Sequence, residues 1–168
     1  PIAFDALTVI ANPKNEWAKE ITIEQLKTMW EPNAQGKIKT WDQVVPGAPT
    51  QKLKLYGPGA DSGTFDYFTE AVIGKSKAIR GDFTASEDDN ITVKGVMGDK
   101  GAIGYLGLAY YLENQGRLQA VAVNNSEGKF VLPSKETVMD GSYNPLSRPL
   151  FIYLNATKAA FDPNVKKF

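Results

Sequence analysis

Strand-like and helix-like segments alternate from one end of this 168-residue chain to the other, and no other feature restricts the fold as strongly. A chain with this pattern buries its strands in a sheet with helices on the faces, and the crossovers demand at least one parallel pair. Ala3 to Asn12 is a β-rich apolar run closed by Asn12-Pro13, the mark of a largely buried strand. Thr22 stands three residues before Gln25, the spacing of a capping box, and Ile23, Leu26 and Trp30 recur at helical spacing until Pro32. Thr40 to Gln43 reads as one capped turn with Trp41 in the core. Leu53 and Leu55 alternate with Lys52, Lys54 and Tyr56 as a half-buried strand does.

Further along, Ser86-Glu87-Asp88-Asp89-Asn90 opens a helix that carries Ile91, Val93, Val96 and Met97. Ala102 to Tyr105 reads as a strand, Leu108 to Asn114 as a helix and Leu118 to Val123 as another strand, and Ser134 starts a helix that Gly141 ends. Leu150 to Leu154 is an uninterrupted apolar strand, and Asp162-Pro163-Asn164 is a helix start. The expectation is one α/β lobe over residues 1–168. A first residue Pro, and a helix start so near the last residue, point to a piece of a longer protein.

Composition narrows the chemistry. The chain has 19 Lys and Arg against 19 Asp and Glu, so the basic footprint of a nucleic-acid or membrane-surface binder is missing. It has no His and no Cys, which removes Ser-His-Asp and Cys-His nucleophilic catalysis, the usual zinc ligands and thiol redox chemistry. No run approaches the ~18 apolar residues of a membrane span. Binding without reaction is the expectation, with no cofactor.

The candidate site is Gly57-Pro58-Gly59-Ala60-Asp61-Ser62-Gly63-Thr64, which lies between a strand and the helical pattern of Phe65, Phe68, Val72 and Ile73. A glycine-rich turn that delivers Ser-Gly-Thr to a helix start gathers unpaired N–H groups, hydroxyls and the positive end of the helix dipole at one point, which suits an anion. Ser62 and Thr64 offer hydroxyl donors, and Gly63 keeps a Cβ out of the way. Taken alone, the segment reads first as a helix capped by Asp61 or Ser62 after a glycine turn. It matches neither a Walker loop nor G-x-G-x-x-G nor G-x-S-x-G. Arg80 falls between two predicted helices, where a guanidinium could meet an anion, whereas Arg117 and Arg148 read as structural.

Taken together, Leu55-Tyr56-Gly57-Pro58-Gly59 followed by Asp61 to Ala71, Ser86 to Asn90, Gly101 to Tyr105, Ala109-Tyr110-Tyr111 and Pro145 to Tyr153 resemble the phosphate-binding proteins of Pst-type ABC transporters, in order and over nearly the whole chain. The resemblance implies a type II periplasmic-binding-protein-like lobe with a mixed, mainly parallel sheet flanked by helices. It makes residues of about 12–148 the second lobe, and 1–11 and 149–168 hinge segments toward a first lobe, with Leu7 to Asn12 and Leu150 to Leu154 as crossing strands. It also implies a phosphate or similar tetrahedral oxyanion on Ser62, Gly63 and Thr64, with Asp61 a less secure ligand, an ABC permease as partner, and a periplasmic or lipid-anchored extracytoplasmic location. Many relatives carry an Arg four residues before the Ser, where this chain has Pro58, and Arg80 is the candidate substitute. Hinge strands without their lobe would favour self-association. Two other readings stand beside this one. The first is a docking module with a vestigial cradle. The second is a phosphoesterase using Ser62, which lacks a base.

Overall fold

The computed structural model describes residues 2–151 and 153. The helix start expected at Asp162 lies outside them, as do Ile152 and Leu154 of the strand expected at Leu150 to Leu154; Leu150 ends a strand, and Phe151 and Tyr153 are not in one. The elements are β1 (Ala3–Ala11), β2 (Glu20–Ile21), α1 (Ile23–Trp30), β3 (Lys54–Gly57), α2 (Gly63–Phe68), β4 (Thr84–Ala85), α3 (Asp89–Gly98), β5 (Ala102–Gly107), α4 (Leu108–Glu113), β6 (Gln119–Ala120), β7 (Ala122–Asn124), β8 (Phe130–Val131), α5 (Lys135–Met139) and β9 (Ser147–Leu150). α1, α2, α3 and α5 start where short polar side chains satisfy free N–H groups. Thr22 and Gln25 form the capping box of α1, Ser134 and Thr137 that of α5, and Asp88 caps α3. Trp41 is fully buried, and its indole N–H donates to the Gly101 carbonyl (2.8 Å).

The main sheet runs β4-β3-β5-β1-β6, with β9 also paired to β1. It is mixed, as expected, and holds the parallel pairs that the sequence pattern demands, but the parallel share is smaller than the family resemblance implies. β3 is parallel to β4 and β5, whereas β1 is antiparallel to β5, β6 and β9. The cause is that β1 enters the sheet from the opposite end and occupies the middle rather than an edge. Leu118 to Val123 is not one strand. It breaks at the buried Val121, so that β6 extends the main sheet and β7 joins a smaller sheet with β2 and β8. The break is fixed by two bonds, Val121 N–H to the Val9 carbonyl and Ala122 N–H to the Lys19 carbonyl, both 2.9 Å.

Alternation along β1 sends Leu7, Val9 and Ala11 to one face and Ala6, Thr8 and Ile10 to the other. Tyr105, opposite Val9, stacks on Phe68 at 3.7 Å, which fixes α2 on the first face. Trp30 of α1 meets Phe68 and Tyr105 edge to face at 5.4 and 5.2 Å, closing that core layer. Gly57 is required there, because a Cβ on it would lie 2.8 Å from the Tyr105 ring. The other face packs against α3, where Gly104 sits beside Thr92 and Val96.

Register decides what gathers at each end of the sheet. β3 and β5 run together, with Tyr56 opposite Gly104, and Leu7 of β1 lies opposite Gly107. The C-terminal ends of β3 and β5 therefore coincide with the N-terminal half of β1. In open α/β sheets, ligands sit at the C-terminal ends of parallel strands. The Ala3 to Ala6 part of β1 pairs with Ser147 to Leu150 and projects past that end, whereas Leu7 to Ala11 is integral to the sheet.

Candidate functional site

The turn after β3 folds over itself before α2 begins. Ser62 N–H donates to the Gly59 carbonyl (3.1 Å), and Ser86 N–H donates to the Gly57 carbonyl (3.0 Å), tying the turn to the approach of α3. Ser62 has extended backbone (φ −86°, ψ 132°), and its Oγ accepts from Thr64 N–H at 3.2 Å. The first intrahelical bond is Asp66 N–H to the Ser62 carbonyl (3.2 Å). Gly63 and Phe65 N–H have no partner among the described residues, as expected for a first helical turn. α2 passes without a break into a π-helical turn at Thr69–Ile73, which gives one continuous helical segment that Gly74 ends with left-handed backbone (φ 88°).

Gly63 is exposed, and a Cβ built on it meets nothing within 4 Å. Open space therefore adjoins the free N–H groups and the Ser62 and Thr64 hydroxyls. Ser62, Gly63 and Thr64 stand at the start of α2, where the sequence places a helix start. Asp61 is beside them, but its N–H points to Glu87 Oε1 at 3.4 Å, so its backbone donor faces away from the cradle. Its carboxylate adds negative charge to a rim that already holds Glu87, Asp88 and Asp89. Burial, then the charges of Asp88 and Glu87, push the Asp89 carboxyl above its usual range.

Arg80 is elsewhere, and the expectation that it replaces the arginine missing at Pro58 is corrected by its hydrogen bonds. Its guanidinium is buried and donates to the Met29 carbonyl (2.9 Å), the Ile38 carbonyl (3.1 Å) and both oxygens of Asp82, the Nη2 bond at 2.9 Å. Because Thr84 lies opposite Tyr56 in a parallel pair, Asp82 and Arg80 fall toward the N-terminal end of β3. β3 itself, about 13 Å long at roughly 3.3 Å per residue, separates them from the cradle. Arg80 joins α1 and the 36–38 segment to the sheet.

Arg148 and Asp5, which sequence reasoning did not assign to the site, do lie at the cradle end. They are opposite each other in the β1–β9 pair, with Arg148 Nη2 3.3 Å from Asp5 Oδ2. The Arg148 guanidinium sits over the Tyr67 ring at 4.1 Å, and Tyr67 O–H donates to the Pro145 carbonyl (2.7 Å). Burial pushes the Tyr67 hydroxyl up to about 12, opposed by the Arg148 charge, so the ring stays neutral.

An α/β lobe with a donor-lined turn at the C-terminal end of its parallel strands is the class of module that this architecture defines. The family description "PBP superfamily domain" matches residues 1–168, and the chain belongs to that superfamily. Protein SphX of Synechocystis sp. is 54% identical over 168 residues, which is 100% of this chain and 50% of that protein. The phosphate-binding protein PstS of Staphylococcus saprophyticus is 41% identical over 159 residues, covering 94% of this chain and 47% of that one. A solved structure described as a possible phosphate binding protein from Planctomyces limnophilus superposes with a TM-score of 0.88 at 43% identity, over 94% of this chain and 55% of that one. The chain spans about half the length of the curated relatives it matches.

Proposed function

We propose that this chain is one lobe of a solute-binding protein that captures inorganic phosphate for an ABC importer, supplying half of the oxyanion site. The observation that carries the reading is the start of α2, where free N–H groups and the Ser62 and Thr64 hydroxyls border the open space at Gly63. Similarity to phosphate-binding PstS supports the choice of anion. Capture requires no bond to break. Donors replace water around the oxyanion, and release follows from opening of the lobes. The remaining half of the site belongs to a first lobe reached through Ala3 to Ala6 and Ser147 to Leu150. The whole protein works outside the cytoplasm beside its permease, free in the periplasm or held by a lipid anchor. Among the described residues, no helix is long and apolar enough to cross a membrane.

An open half-site leaves the anion largely hydrated, so the affinity of this chain is expected in the millimolar range or weaker. Titration of phosphate against 15N-labelled protein should give saturable shifts of the Gly63 and Thr64 amides, with smaller ones for sulfate. Flat amide positions up to tens of millimolar phosphate would refute the reading. Phe4 and Phe151 are 43% and 51% exposed at the β1–β9 end, the apolar edge where a first lobe would dock. Without that lobe, sedimentation velocity should show association that grows with concentration. A single monomer boundary at high concentration counts against this use of the edge.

A further inference from the structure

We propose that Arg148 is the cation of the phosphate site, donating charge-assisted hydrogen bonds to the anion seated at Ser62 to Thr64; this rests on the reading above. The need for it comes from the local charge. Residues 57–64 contain no Lys or Arg and do contain Asp61, and the segment tied to them contributes Glu87, Asp88 and Asp89. A phosphate at this point meets neutral donors and an acidic rim, so a guanidinium has to offset the repulsion.

The placement comes from register and from the face of the sheet. Asp5 and Arg148 are two residues beyond Leu7, which lies opposite Gly107, and so they stand at the end of the sheet where β3 delivers the cradle. Alternation puts Asp5 on the same face as Leu7 and Val9, the face that carries α2. The stack of Arg148 on Tyr67 agrees with that side. Tyr67 follows Gly63 by four residues, about 6 Å along the helix, and helical side chains lean toward the N-terminus. Tyr67 thus holds the guanidinium plane near the first turn of α2.

The hydrogen-bond state of Arg148 sets it apart from Arg80. Arg80 Nε is satisfied by Asp82, whereas Arg148 Nε is buried with no partner among the described residues. Among the described residues, the side-chain hydrogen-bond partner of Arg148 is Asp5, at 3.3 Å, a long contact for a charged pair. Two of the fork's faces are thereby fixed, by a ring and by a carboxylate, and donors remain for a third partner. Asp5 orients the fork, and the oxyanion completes it.

The test is a phosphate titration of the 168-residue protein and of its Arg148→Ala, Arg148→Lys and Asp5→Asn variants, following the Gly63 and Thr64 amides and the Arg148 Nε–H signal. In the unsubstituted protein, phosphate should shift Arg148 Nε–H in step with the two amides, and chloride at equal ionic strength should not. Arg148→Ala should weaken binding at least tenfold, Arg148→Lys should restore part of it, and Asp5→Asn should change it less than Arg148→Ala does. If the amides respond to phosphate while Arg148 Nε–H stays still, Arg148 is excluded and the phosphate reading stands. The same holds if Arg148→Ala, folded by its amide spectrum, binds equally well. If the amides of the unsubstituted protein never respond, both readings fall. Should Arg148→Ala fail to fold, the Nε–H signal of the unsubstituted protein decides alone.

Discussion

Replacing Arg80 by alanine is expected to destabilise the fold by about 3 kcal/mol while leaving the phosphate response of Gly63 and Thr64 in place. The substitution strips hydrogen bonds from the Met29 and Ile38 carbonyls and leaves the Asp82 carboxylate without its cation. Removing one partner from a buried pair costs about 3–5 kcal/mol, and the lower figure applies here because Asp82 is 39% exposed and water recovers part of its solvation. For a chain of this length, the loss reads as a fall in Tm of about 6–12 °C. Arg80→Lys should recover little, because one ammonium cannot span acceptors that a planar fork reaches together. The Arg80 bond holds the Asp82 carboxyl below its ordinary value of 3.8, so this contribution is present above that pH and lost as pH falls through the lower folded value. The stability gap between the two proteins should therefore narrow in acid. Thermal melts at neutral pH and below pH 4, paired with the phosphate titration, check both halves. A folded Arg80→Ala protein whose amides ignore phosphate would return Arg80 to the binding site.

The contrast between the two arginines shows what the chain reveals of itself. Helix starts were legible because a cap and its target are neighbours in sequence: Thr22 with Gln25, Ser134 with Thr137, Ser62 with Thr64. The start of α2 is such a local object, so Ser62, Gly63 and Thr64 could be placed there from sequence, whereas their choice as the anion cradle came from the family resemblance. The carbonyl partners of Arg80 are 51 and 42 residues away, and Asp5 is 143 residues from Arg148. Neither environment follows from periodicity. Arg80 looked free because it falls between two predicted helices, and Arg148 looked structural because it stands between Ser147 and Pro149 at the head of an apolar strand. The split of Leu118 to Val123 was hidden for the same reason, since the Val9 and Lys19 carbonyls that divide it belong to distant segments. The balance of parallel and antiparallel pairs was likewise set by where β1 inserts, a choice that local pattern does not record.

Gly63→Ala should separate binding from folding most cleanly. Its backbone is not in the left-handed region, and a Cβ there has open space around it, so alanine fits without displacing a neighbour. Alanine also restricts the unfolded chain, and such changes stabilise by about 0.4–1 kcal/mol, or roughly 1–4 °C in Tm. The same Cβ would stand in the space that the anion must enter to reach the free N–H groups of the first turn. Phosphate affinity should fall at least tenfold, the equivalent of about 1.4 kcal/mol. Ser62→Ala makes the instructive counterpart. It removes the cap and should cost about 1 kcal/mol of stability, so a loss of binding in that variant has two causes. In Gly63→Ala, stability and binding move in opposite directions, and a cap that served only the helix could not produce that result. If Gly63→Ala binds phosphate as the unsubstituted protein does, the anion does not approach this backbone and the cradle is a helix cap alone.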